Sequence, residues 1–195
     1  MNHRFIENRV FQAVAAPVVV LAVLAVLAGF SHAAAAQGRA VDIAAFYGQW
    51  TGSGVSESEI SLYFRLTTRD LDVEVRPAGA GFEIAWTTVQ RQRGDPTNPT
   101  PERKATVIRF APTGRPNIWR AVDSSDPLID ERYAWARIKE QTFTVHTLAI
   151  NGEGGYDMQI YQRTLTPFGM KLEFVAFRDG EERRSASGRL VKVGN

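Results

Sequence analysis

Hydrophobic and polar side chains alternate with a period of two residues along most of the chain after residue 48. Leu71, Val73 and Val75, for example, alternate with Asp72 and Glu74. This period is typical of antiparallel strands that bury one face and expose the other. No stretch of comparable length shows the 3.6-residue period of an amphipathic helix, so the pattern predicts an all-β protein.

The alternating segments predict about ten strands joined by short hairpins. Turn residues separate them, and the sharpest turn is Asp179-Gly180, because a type I′ turn needs a positive φ at both central positions. Sequential hairpins imply an antiparallel meander, and a long meander hides its edges best by closing into a barrel. The predicted strands are 49–57, 60–67, 70–77, 81–90, 104–111, 117–122, 132–139, 142–150, 155–165 and 169–178, with 182–193 as an eleventh or closing strand.

A proline-rich connection interrupts the hairpins between Arg91 and Lys104. Its three prolines exclude a regular strand, and its length is that of a lid, a crossing loop or a solvated excursion. Arg91, Arg93 and Arg103 flank this loop. Their guanidinium groups could attract an anionic head group, although a balanced surface explains them as well.

A short motif stands at the start of the first predicted strand. Residues 42–47 predict one helical turn with Asp42 as its N-cap. Gly48, Trp50, Gly52 and Gly54 follow as Gly-x-Trp-x-Gly-x-Gly. The segment resembles the opening of the calycin group of β-barrels, which includes lipocalins, fatty-acid-binding proteins and nitrobindin-like proteins.

The resemblance implies a calycin-like barrel whose Trp50 plugs the closed end. In lipocalins a basic residue near the end of the barrel covers this tryptophan, and Arg189 is the candidate by its position. The alternative is that Trp50 belongs to the core of an unrelated β-barrel. No further lipocalin signature and no nitrobindin pattern around a histidine occurs in the sequence.

The first 36 residues differ in composition from the rest of the chain. A weakly positive start precedes an apolar run from Ala13 to Phe30, and Ala34-x-Ala36 is the small-residue pattern of signal peptidase sites. We therefore expect residues 1–36 to be a cleaved signal peptide and residues 37–195 to be a single barrel domain in the periplasm or outside the cell. The alternative is an N-terminal membrane anchor, because 18 apolar residues can just span a bilayer.

Charge and composition restrict the chemistry that the chain can perform. The 195 residues include 23 Lys and Arg against 21 Asp and Glu, so a strongly basic nucleic-acid binder is not expected. The chain has no Cys, which excludes disulfides, thiolate zinc sites and a Cys nucleophile. After signal cleavage we expect no stable membrane span, and the sequence does not define the oligomeric state.

His146 would be the only histidine after cleavage, and it lies in a predicted strand. It is a weak candidate for a metal ligand or a haem ligand, because no other ligands stand at metal-binding spacing. A structural, hydrogen-bonded histidine is the alternative. No catalytic constellation can be assembled around one histidine, so we do not expect an enzyme, a metal site or an obligatory cofactor.

The sequence therefore favours an exported barrel that binds a small apolar or amphipathic ligand. The apolar faces of the predicted strands place Phe64, Trp86, Met158 and Phe174 in the barrel interior as candidate ligand contacts. The main alternative is a structural or protein-binding envelope module with a filled core and no ligand.

Overall fold

Each strand of the protein pairs antiparallel with its neighbours in the sequence, and the first strand pairs with the last. The computed structural model describes residues 40–59, 66–90, 102–124, 126–129 and 132–195. Within these ranges the strands close into one barrel, in the order of a meander. They are β1 (Gly48–Ser58), β2 (Leu66–Ala78), β3 (Gly81–Gln90), β4 (Glu102–Pro112), β5 (Ile118–Ala121), β6 (Tyr133–Lys139), β7 (Thr142–Ile150), β8 (Tyr156–Thr166), β9 (Gly169–Arg178) and β10 (Glu181–Gly194).

The predicted fold class is confirmed, with one difference in how the strands divide. The predicted strands 60–67 and 70–77 meet in β2, which runs without a break from Leu66 to Ala78. Thr67, Thr68 and Arg69 interrupt the apolar alternation there, and of these three Arg69 lines a cavity in the barrel. Residues 60–65 lie outside the described residues. The predicted closing segment 182–193 is β10, the tenth strand.

The predicted signal peptide, residues 1–36, lies outside the described residues. Arg39–Asn195 form one compact unit. In the part of the chain that the structure describes, no helix has both the length and the apolar character needed to cross a bilayer.

One end of the barrel is closed by a plug of packed apolar side chains. The predicted helical turn is a 3₁₀ helix, Ile43–Phe46, and the Asp42 side chain caps it by accepting the backbone N–H of Ala44 at 2.8 Å. Trp50 is buried, and its indole N–H donates to the backbone oxygen of Phe46 at 3.0 Å. The helix and β1 are therefore joined at the plug, whose buried side chains are Phe46, Trp50, Phe82, Phe110, Phe143, Met170 and Leu190.

The glycines of the motif lie where β1 meets β10. A Cβ atom at Gly52 would collide with the backbone carbonyl of Arg189, and one at Gly54 would collide with that of Ser187. Both positions are on the face of β1 that carries Trp50. The absence of a side chain thus lets the first and last strands approach closely enough to close the barrel.

The prediction that Arg189 covers Trp50 is wrong. Lys192 covers the indole, with its Nζ atom 5.8 Å from the ring centroid. In the regular pairing of β1 with β10, Trp50 lies opposite Lys192 and Gly52 lies opposite Leu190. Arg189 pairs with Ser53 and is exposed.

Candidate functional site

The end of the barrel opposite the plug holds a cavity of about 320 Å³. Its walls include Leu71, Val73 and Leu172, which also belong to the hydrophobic core. The cavity therefore continues the barrel interior rather than lying on the outer surface. The other lining residues are Ser56, Arg69, Asp72, Trp86, Thr87, Thr88, Lys104, Thr106, Gln159, Tyr161, Arg163, Phe174, Arg184 and Ala186.

Three aromatic rings form one wall of this cavity, and we call them the aromatic cluster: Trp86, Tyr161 and Phe174. The ring centroids of Trp86 and Tyr161 are 4.9 Å apart, and those of Tyr161 and Phe174 are 4.8 Å apart. The Tyr161 hydroxyl donates to Oε1 of Gln159 at 2.7 Å. Burial raises the pKa of Tyr161, although nearby arginines oppose the shift. The hydroxyl is thus a neutral donor that is already in use.

Arg163 lies at the deep end of the cavity and is completely buried. Its guanidinium carbon is 5.2 Å from the ring centroid of Trp86 and 5.7 Å from that of Tyr161, so both rings make cation–π contacts with it. None of its three guanidinium nitrogens has a hydrogen-bond partner in the described part of the chain. Burial lowers the pKa of Arg163 to about 10, so the group is still a cation at neutral pH.

Three more cationic side chains line the cavity towards its mouth. Arg69 and Arg184 are half-buried and Lys104 is exposed. The guanidinium carbon of Arg184 is 5.3 Å from the ring centroid of Phe174. Burial and the charge of Arg184 lower the pKa of Arg69. Positive charge therefore extends from the mouth of the cavity to its deepest point.

The carboxylate of Glu102 partly balances the charge at the mouth. Oε1 of Glu102 forms an ion pair with Nζ of Lys104 at 2.9 Å. This contact is the main reason that the pKa of Glu102 is lowered. Arg69 and Arg184 contribute smaller effects in the same direction. Glu102 thus neutralises cations at the rim and does not accept a hydrogen bond from Arg163 within the described residues.

The strand pairing in the barrel wall is short between β4 and β6. The strand between them, β5, has four residues and pairs with β4 only through Phe110, Ala111 and Pro112. Ser124 fills part of the remaining space and accepts the backbone N–H of Ala134 at 2.8 Å. A depression of about 560 Å³ opens here, with Ile108 and Arg132 in its lining.

Only two of the four residues predicted for the barrel interior are found in the lining of the cavity. Trp86 and Phe174 line the cavity. Phe64 lies outside the described residues. Met158 does not line the cavity: it neighbours Gln159, which does, and successive side chains of a strand point to opposite faces. The prediction that Met158 points into the barrel is therefore wrong. The interior face of β8 carries Gln159, Tyr161 and Arg163 instead.

This error in β8 explains why the sequence did not identify Arg163. Both faces of β8 carry large side chains, with Met158 and Ile160 on one and Tyr161 on the other. Alternation alone favours the more apolar face as the interior, but the outer wall is apolar here. The arginines 91 and 93 of the proline-rich loop lie outside the described residues, and Arg103 is exposed.

His146 lies on β7 on the face that points away from the cavity. Its ring stacks on that of Trp135 with centroids 4.6 Å apart and planes at 2°. Its neighbours on β7, Val145 and Thr147, pair with the cavity residues Tyr161 and Gln159 and share their inward face. The described residues contain no group of three His, Cys, Asp or Glu that could hold a metal ion.

Acid is expected to destabilise the protein through His146. Burial, with a smaller contribution from the charge of Arg137, lowers the pKa of His146 to about 4. The folded state therefore favours the neutral imidazole, and its contribution to stability is complete above the unfolded pKa of about 6.5 and is lost as the pH falls towards 4. We expect the free energy of unfolding to fall by about 2 kcal/mol between pH 7 and pH 4.5 from this group.

Urea unfolding at several pH values tests this expectation. The His146→Phe variant keeps the stack on Trp135 and removes the titration, so its stability should change less over the same range. Parallel stability curves for the two proteins would show that His146 is not the titrating group.

Comparisons with known proteins bear on the fold alone. Over the described residues the protein is a closed ten-stranded antiparallel barrel, which is consistent with the predicted calycin-like barrel. No protein-family model matches the sequence, and no curated protein matches it. A solved structure from Nostoc punctiforme, a protein of unknown function from the DUF3598 family, is similar with a TM-score of 0.53 and 12% sequence identity. The match covers 79% of this chain and 50% of that one, and at this identity it shows the fold alone.

Proposed function

We propose that the protein binds one small amphipathic ligand inside the open end of the barrel. The observation that carries this proposal is the contrast between the two ends. The plug end is filled by packed apolar side chains, whereas the other end leaves about 320 Å³ beside the aromatic cluster. Unfilled interior space is unfavourable for folding, so a ligand that fills it would stabilise the native barrel.

The lining of the cavity fits a ligand with an apolar body and a polar group. Ligand cavities of about 300–1,000 Å³ that are mainly apolar, with a few polar groups to fix orientation, are usual for small-molecule sites. The aromatic cluster and Leu172 offer apolar surface, and the Ser56 hydroxyl, which donates to the backbone oxygen of Ser185 at 3.0 Å, offers its oxygen as an acceptor. Export by the predicted signal peptide would place this binding activity in the periplasm or outside the cell, and this location is part of the proposal.

A fluorescent probe tests whether the cavity accepts an apolar molecule. N-phenyl-1-naphthylamine is neutral and gains fluorescence in apolar surroundings. We expect the wild-type protein to bind it and the Ala186→Phe variant to bind at least about tenfold more weakly, because the new ring would fill the cavity. Ser187→Phe is the matched control, since this neighbour is exposed and its side chain points outward.

Two results of the probe experiment would contradict the proposal. Absence of probe binding to the wild-type protein, or equal binding by both variants, would contradict a cavity site. Native mass spectrometry of protein purified from the cells that make it provides a second test, in which a bound small molecule is expected as added mass.

A specific observation favours a protein-binding module as the second candidate function. The outer wall has a depression of about 920 Å³ whose lining includes Ile118, Tyr133, Trp135 and Leu148. Apolar and aromatic surface of this kind is common at protein interfaces. Probe binding that is lost in Trp135→Ala but unchanged in Ala186→Phe would favour this candidate.

A further inference from the structure

We infer that an extended, acidic peptide segment of a partner protein binds to one side of β4 as an additional strand. We call this side the β4 edge: it faces β5 and extends from Arg103 to Val107. The inference goes beyond the cavity ligand and does not depend on it. It is carried by the backbone groups at the β4 edge, by the depression beside them and by the charge of the surrounding surface.

The pairing of β4 with β5 stops before it reaches the β4 edge. Its last bond in the described part of the chain joins the N–H of Val122 to the backbone oxygen of Arg109 at 2.8 Å. Continuation of the same register would set Ser124 opposite Val107. The N–H of Ser124 donates instead to the backbone oxygen of Ala121 at 3.2 Å. The chain therefore turns away from β4 after Val122.

Three residues of β4 direct their backbone N–H and C=O groups towards this edge. These groups point to the same side of a strand in every second residue. Because the backbone oxygen of Arg109 points towards β5, the backbone groups of Arg103, Ala105 and Val107 do so as well. No strand bonds to them among the described residues, whereas the other side of β4 pairs with β3 along its length. Free strand edges of this kind accept extended peptides through main-chain hydrogen bonds.

The depression of about 560 Å³ between β4 and β6 gives an added strand room. The apolar part of its lining consists of Val107, Ile108, Ala121 and Ala134. Val107 is 59% exposed, and Val122, which follows β5, is 54% exposed. Side chains of an added strand would cover this apolar surface, so we expect every second residue of the peptide to be apolar.

The surface around the β4 edge carries an excess of positive charge. Arg103 is exposed and has no ion pair with another described residue. Arg109 shares its partner, Glu83, with a second arginine. Arg132 and Asp123, which line the depression, balance each other in charge. An acidic residue of the peptide beside Arg103 would supply a partner, because cross-strand pairs of opposite charge stabilise a sheet.

The same charges disfavour a second copy of this chain as the occupant. Antiparallel pairing of two β4 edges about Ala105 would set Arg103 opposite Val107 of the other copy and diagonal to its Arg109. Long side chains reach each other across such a diagonal, and like charges there repel. The two-fold symmetry would repeat this contact, so the charges fit an acidic partner better.

Fluorescence anisotropy with a labelled Glu-Val-Glu-Val-Glu-Val-Glu peptide tests the inference. We expect wild-type protein to bind this peptide and Ala105→Pro to bind it at least about tenfold more weakly, because proline removes an N–H that faces the peptide. The fold should be kept, since this N–H points away from β3. Ala105→Ser is the matched control, which keeps the N–H and should bind as wild type does.

Reversal of the charge at the β4 edge provides a second variant. Arg103 is exposed, so its replacement by glutamate should leave the stability nearly unchanged. Arg103→Glu should bind the Glu-Val peptide more weakly than wild type and should bind a Lys-Val peptide of equal length more tightly. Melting curves of both variants show whether lost binding reflects lost folding.

Several results would overturn the inference. Absence of binding to the wild-type protein, equal binding by Ala105→Pro, or equal affinity of wild type for the Glu-Val and Lys-Val peptides would each do so. Wild-type dimers that disappear in Ala105→Pro, without binding of the peptide, would overturn it in favour of a second copy. Ala105 does not line the cavity, so Ala105→Pro should bind N-phenyl-1-naphthylamine as wild type does. Failure of the cavity proposal and failure of this inference are therefore distinguishable.

Discussion

Replacement of Trp50 by alanine is expected to lower the free energy of unfolding by about 3–5 kcal/mol, the usual cost of removing a buried tryptophan. The indole is buried in the plug, is covered by Lys192 and ties β1 to the 3₁₀ helix through its hydrogen bond to Phe46. Its removal would leave a cavity and an unsatisfied carbonyl at the closed end. Urea unfolding followed by circular dichroism measures the change.

Two variants make this measurement specific to the plug. Phe168, in the turn between β8 and β9 at the same end of the barrel, is 91% exposed, so Phe168→Ala should change stability by less than about 0.5 kcal/mol. Trp50→Phe keeps an aromatic ring and removes the indole N–H, so it should cost less than Trp50→Ala. An unchanged unfolding curve for Trp50→Ala would remove the plug, and with it the physical meaning of the sequence motif.

Replacement of Arg163 by methionine is expected to act in the opposite direction. In the absence of ligand, the free energy of unfolding should rise by about 1–4 kcal/mol, the range for exchanging buried ionic groups for apolar ones of similar volume. The physical reason is that the folded protein no longer has to bury a cation whose N–H groups lack acceptors among the described residues. The cation–π contacts with Trp86 and Tyr161 are lost at the same time, which reduces the gain.

Denaturant unfolding of the ligand-free variant measures this gain, with Arg189→Met as the control for loss of an exposed arginine. A marked loss of stability in Arg163→Met would contradict this expectation and would mean that the cation–π contacts outweigh the cost of burying the charge.

The barrel and its closure were predictable because they depend on local features of the sequence. Period-two alternation and turn residues such as Asp179-Gly180 defined most strand positions, and the apolar faces of β3 and β9 correctly placed Trp86 and Phe174 inside. The motif glycines are needed where β1 meets β10, so the motif marks the line along which the barrel closes.

The charged part of the cavity was not predictable, because it depends on which of two similar faces turns inward. The face of β8 with Met158 looks like a core face, and the face with Arg163 looks like a solvated one. Only the pairing with β7 and β9 places Arg163 opposite Phe143 and Leu172 in the interior. The role of Lys192 was missed for a related reason, since only the pairing of β10 with β1 shows that Lys192 lies opposite Trp50, whereas Arg189 lies opposite Ser53 and is exposed.

The most direct test of a ligand-binding barrel is a crystal structure with 8-bromo-1-octanol, an amphipathic probe. Anomalous scattering locates the bromine independently of the protein density. The account predicts the bromine inside the cavity, in the space lined by the aromatic cluster and Leu172. Bromine in the outer depression beside Trp135 would contradict it.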